Sequence, residues 1–79
     1  MRPGDLLHWN KAEPFVPYRI RLTSGRTFDV PHPEMLLIGR TSATYVTFIG
    51  EGSDVYEKLQ MIGLLLIETI EPIASPAAA

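Results

Sequence analysis

The 79-residue chain carries seven Lys and Arg against nine Asp and Glu, a formal net charge of −2, and no cysteine. This excludes a disulfide framework, thiolate metal ligands and a cysteine nucleophile, and it is not the strongly basic balance of a dedicated nucleic-acid binder. The length allows one domain, which buries only about 60–65% of its unfolded surface, so without staples oligomerisation is the expected source of added stability.

Residues 5–12 read as a short helix with Asp5 as N-cap and with Leu6 and Trp9 on one face. Glu13-Pro14 ends it, because the residue before a proline avoids helical geometry. Residues 18–23 alternate: Tyr18, Ile20 and Leu22 face one way, Arg19, Arg21 and Thr23 the other. Ser24-Gly25 is the expected hairpin turn. Residues 26–30 form the return strand with Phe28 and Val30 inward, and Pro31-His32-Pro33 stops it. Glu34-Met35 suits a single turn.

Residues 36–38 restart as a strand, 39–42 turn, and 43–49 are rich in β-branched and aromatic residues, another strand. A flexible loop is expected at 50–54. Residues 55–62 fit strand or helix, with strand favoured by the flanking glycines. Residues 63–66 are a tight turn or short extension, 67–72 a last strand, and 73–79 a disordered tail beyond a single domain at 1–72. The expected core is Ile20, Leu22, Phe28, Val30, Leu36, Ile38, Val46, Phe48, Ile67 and Ile70.

The fold class this predicts is mainly β: a small β-barrel of about five short strands with an N-terminal helix, since closure removes exposed strand edges. The order of elements resembles that of Sm-like proteins, which also end on an Ile-x-x-Ile-x-Pro strand, here Ile67-Glu68-Thr69-Ile70-Glu71-Pro72. The resemblance implies a ring assembled through strand edges. The Sm residues that read RNA are missing: no Asn follows Asp29 within 30–34, and Ile62 stands before Gly63 where that family has Arg. The chain is also similar to a group of short uncharacterised bacterial proteins that share a Pro-Phe-x-Pro-(Phe/Tyr)-Arg-Ile-x-Leu-x-x-Gly-x-x-Phe-x-Val-x-His-Pro-Glu core. Here it runs from Pro14 to Glu34, and it brings no activity with it.

Arg19, Arg21 and Arg26 are the candidate nucleic-acid contacts, as a phosphate-binding stripe. Against this stands plain solvation of an outer strand face, with Glu57, Glu68 and Glu71 available for cross-strand pairing. His32 and Glu34, with His8, are weighed as metal ligands, but a site needs a further fixed ligand, and a rigid Pro-His-Pro corner is the favoured role. Trp9, Phe15, Tyr18 and Phe28 suit a base-stacking platform, yet so small a domain needs its aromatics as core first. No hydrolase triad, phosphate loop or zinc motif occurs, so neither an enzyme nor a cofactor is expected.

Residues 44–48 and 55–62 carry apolar groups on both faces, as strands covered on both sides do. Val55, Leu59 and Met61 are assigned to one face of the second segment, Tyr56 and Ile62 to the other. Tyr45, Tyr56, Lys58 and Ile62 are therefore the expected oligomer interface. The function expected is a homo-oligomeric interaction module, possible partners being a second copy or an unknown protein. RNA or DNA binding and small-ligand regulation are the alternatives. The longest apolar run, residues 61–67, falls far short of the ~20 residues that a membrane-spanning helix needs. With no signal-peptide pattern, the expected location is the cytoplasm.

Overall fold

Alternation continues across the first hairpin only if its loop has an odd number of residues, and this is what the chain builds. In the computed structural model, which describes residues 1–50 and 54–73, β1 (Tyr18–Leu22) pairs antiparallel with β2 (Thr27–Val30) so that Ile20 faces Phe28 and Arg19 faces Asp29. The loop is residues 23–25, one residue longer than Ser24-Gly25. A two-residue loop would set Phe28 opposite Arg21 and turn the apolar set of β2 away from that of β1. Gly25 closes the loop at φ 93°, a left-handed conformation suited to glycine.

The remaining elements follow the expected order. They are α1 (Pro3–Asn10), β3 (Leu36–Ile38), β4 (Ser42–Phe48), β5 (Tyr56–Gly63) and β6 (Ile67–Pro72), with 3-10 turns at Pro33–Met35 and Leu64–Leu66. The helix begins two residues earlier than expected. Pro3 occupies its first position, where a missing N–H costs nothing. The N-cap is therefore Arg2 and not Asp5; Asp5 lies within the first turn, and its Oδ2 accepts from the Arg2 backbone N–H at 3.4 Å. The expected loop at 50–54 and the expected tail at 73–79 each lie in part outside the described residues. Ile73 does not belong with that tail, because its N–H donates to the Pro17 carbonyl at 3.0 Å.

β structure dominates, as expected, but six strands form two three-stranded sheets rather than one closed barrel. The first has the order β2-β1-β6 and the second β3-β4-β5. The Pro31-His32-Pro33 corner separates β2 from β3, since proline cannot donate to a ladder. Two bulges decide which side chains face inward. In β6, Ile70 pairs with Ile20 and Ile67 with Leu22, leaving Glu68 as the extra residue, so isoleucines three apart share one face. In β5, Lys58 pairs with Thr47 and Tyr56 with Phe48, leaving Glu57 extra.

The core lies between the sheets and under α1. Leu6, Tyr18, Ile20, Leu22, Phe28, Val30, Leu36, Ala43, Ile62, Leu64 and Ile67 form one contiguous buried cluster. Seven of the ten expected core residues are buried; Ile38, Phe48 and Ile70 are half-buried. Trp9 and Phe15 flank the Tyr18 ring at centroid distances of 5.8 and 6.0 Å, fixing α1 and the segment after it onto β1.

A single side chain clamps the helix end. Asn10 Oδ1 accepts from the Tyr18 hydroxyl at 2.9 Å, and its Nδ2 donates to the carbonyls of Pro33 (3.1 Å) and Leu36 (3.4 Å). Asn10→Ala strands a buried phenol and two carbonyls, so it is expected to cost about 1–3 kcal/mol in denaturant unfolding. An unchanged midpoint would show that water replaces the amide there.

Burial also raises the Tyr18 pKa well above that of an ordinary phenol, and the Tyr45 pKa is raised by burial first and by Asp29 second. Unfolded tyrosine ionises near pH ~10. Stability is therefore expected to hold below roughly pH 10 and to fall as pH rises beyond it, because only the unfolded chain readily loses those protons. Tyr18→Phe should flatten that alkaline decline in midpoints measured across pH; an equally steep decline would place its cause elsewhere.

Candidate functional site

Two sheet faces point to solvent, and they differ in chemistry. On the outer face of β2-β1-β6, Arg19 Nε donates to Asp29 Oδ1 at 2.7 Å and Arg21 Nη2 to Glu71 Oε1 at 3.3 Å. The Asp29 carboxylate holds the Arg19 guanidinium above its usual pKa, first through that hydrogen bond and then through its charge. Arg26 lies with its guanidinium carbon 5.1 Å from the centre of the Phe28 ring. Arg19 and Arg21 thus share the outer face, each matched by a carboxylate, whereas Arg26, opposite Leu22, lies on the Phe28 side of the hairpin, so the three arginines expected as a phosphate stripe do not line up on one face. Glu71 was among the expected partners. Asp29 was not, although the three-residue loop puts it directly opposite Arg19.

Exposed ion pairs of this kind add little to stability, and the four charges of the two pairs sum to zero. Replacing Arg19 and Arg21 together by alanine is expected to leave the unfolding midpoint nearly unchanged. The parent chain is expected to show no nanomolar, salt-sensitive RNA or DNA binding in a filter assay. Tight binding that the double replacement abolishes would overturn this account of the face.

The expected oligomer interface divides. Tyr56 and Lys58 are exposed on β5. Tyr45 points inward: its hydroxyl donates to the Asp29 carbonyl at 2.7 Å and its ring packs edge-on against Phe28 at 5.2 Å, tying one sheet to the other. Ile62 is 2% exposed, opposite Ala43 in the core. Neither Tyr45 nor Ile62 is therefore available as interface surface, because the chain's own fold uses both. β4 offers no edge either, since β3 and β5 flank it. β5 keeps one free edge among the described residues, as does β6 in the other sheet.

The Glu57 bulge also changes the face assignments on β5. Tyr56, expected opposite Leu59 and Met61, joins their side, where its ring lies 5.3 Å from that of Phe48. Leu59 and Met61 are 58% and 75% exposed. Two further residues went unrecognised in the sequence: Asn10, whose role needs partners more than twenty residues away, and Leu37, 58% exposed on β3. The unbroken run Leu36-Leu37-Ile38 was the available signal for Leu37, as it marks a strand with apolar groups on both faces.

Among the described residues, no His, Asp and Glu side chains gather into a group that would hold a metal, and His8, His32 and Glu34 are all exposed. Met1, Arg40, Thr41, Gly63, Leu64 and Leu65 line a cavity of about 270 Å³ beside the second 3-10 turn. No helix among the described residues is long and apolar enough to cross a membrane. Comparison with family models, curated proteins and solved structures gave no match to this chain.

Proposed function

We propose that the chain is a non-catalytic interaction module that assembles with copies of itself through strand edges, in the head-to-tail manner that its resemblance to Sm-like proteins implies. The observation that carries this reading is β5. It is eight residues long, lies at a sheet edge and is weakly guarded. Exposed edges usually carry lysine, proline or a bulge. Here Lys58 and the Glu57 bulge protect only the first half of the strand, and the stretch Leu59-Gln60-Met61-Ile62 has no charge. The two open sheets have four outer strands, β2, β6, β3 and β5; β6, the longer one of the other sheet, is the edge we pair with β5, and the two differ in sequence. Such a pair makes a heterologous contact, which closes into a ring when the rotation between copies allows.

Sedimentation at micromolar concentration, combined with amide exchange, tests the proposal. In an antiparallel edge strand, alternate amides point away from the neighbouring strand. Those amides within Tyr56–Gly63 should exchange slowly in the assembly and quickly on dilution. A cooperative monomer whose outward β5 amides exchange quickly at every concentration would overturn the reading.

A further inference from the structure

Edge pairing extends a sheet in its own plane and leaves both faces as they were. The outer face of β3-β4-β5 needs a cover of its own. Leu37, Thr44 and Met61 form one row across it, Val46 and Leu59 the next, and Phe48 and Tyr56 a third. Thr44 is the one polar residue at these seven positions, and none is charged. Leu37, Tyr56, Leu59 and Met61 are 57–75% exposed. Val46, in the middle, is 2% exposed yet lies outside the contiguous core. The same molecule shows how it treats a sheet face meant for water: the outer face of β2-β1-β6 carries two ion pairs.

We infer that this apolar face is covered by the same face of a second copy, sheet on sheet about a two-fold axis. The inference rests on the proposed self-assembly only in taking a second copy as the partner, and it uses a different surface. A charge-free face asks of its partner only an apolar surface of matching shape, and its own copy has one. Two sheets of equal twist pack face to face with their strands roughly aligned, about 10 Å apart. At on the order of 100 Å² for each apolar side chain, four well-exposed residues per copy, with parts of Phe48 and Thr44, remove about 1,000 Å² from water. That reaches the lower limit of a specific interface.

The test compares the parent chain with Leu37→Glu by sedimentation equilibrium, with circular dichroism confirming the fold and an apolar fluorescent dye reporting the face. Leu37 lies on β3, across the sheet from the free edge of β5. Its replacement therefore leaves the β5 and β6 edges of the proposed assembly unaltered. The parent should have a larger mass than Leu37→Glu at the same concentration, twice as large where the chain does not pair through its edges. Dye binding should rise in the variant. Met61→Lys should behave alike and substitutes if Leu37→Glu does not fold. If edge pairing fails alone, the parent is a dimer, the variant a monomer, and the outward β5 amides exchange quickly in both. Equal masses for parent and variants would overturn the inference, even with those amides protected. So would a monomeric parent, whether its face binds dye or is silent because something in the chain covers it.

Discussion

Phe28→Ala is expected to destabilise the chain by about 3–5 kcal/mol in urea unfolding, the usual cost of deleting a buried phenyl ring. Phe28 is 8% exposed and lies on β2, yet its ring meets Tyr45 of the other sheet. Its loss opens a cavity where the two sheets touch, and it leaves the Tyr45 hydroxyl bond to the Asp29 carbonyl without packing behind it. Single domains hold only about 5–15 kcal/mol in total, so the variant should be partly unfolded near room temperature if the parent is at the low end. A midpoint equal to the parent's would mean that β2 does not carry the contact between the sheets.

The second large effect separates two neighbours in sequence. Ile62→Ala is expected to cost about 2–5 kcal/mol, because Ile62 packs in the core between the sheets. Met61→Ala, one residue earlier and 75% exposed, should stay within about 0.5 kcal/mol. Both are measured at a dilution where the chain is monomeric, so that interface contributions drop out. Equal small effects would return Ile62 to the surface and reverse the face assignment of β5.

These two variants mark the division between local and tertiary information. Local pattern located nearly every element to within a residue or two: the alternation from Tyr18 to Val30, the Pro31-His32-Pro33 break, the turn at 63–66 and the last strand. Backbone preference and period two act over a few residues, so they can be read without a partner. The same alternation excluded the two-residue loop, since only an odd number of loop residues keeps Phe28 and Ile20 on one side. The candidate surface was half legible. Tyr56 and Lys58 were recognised on a free strand, and the two-sided apolar pattern of 55–62 signalled a face that water does not suit. What the alternation could not tell was where it is interrupted. A bulge shifts parity by one, and the bulges at Glu57 and Glu68 arise from long-range pairing with β4 and β1. They put Tyr56 beside Leu59 and Met61, and Ile67 beside Ile70. Nor could period two say which of two apolar faces lies against the other sheet. The meeting of Tyr45 with Phe28 across the sheets marks that choice, and it took two of the four expected interface residues inward, Ile62 into the core and Tyr45 half-buried against it. Two open sheets in place of a barrel follow from the same cause. Strand partnership joins residues as far apart as Arg19 and Glu71, and its energy resides in packing that exists only once the chain has folded.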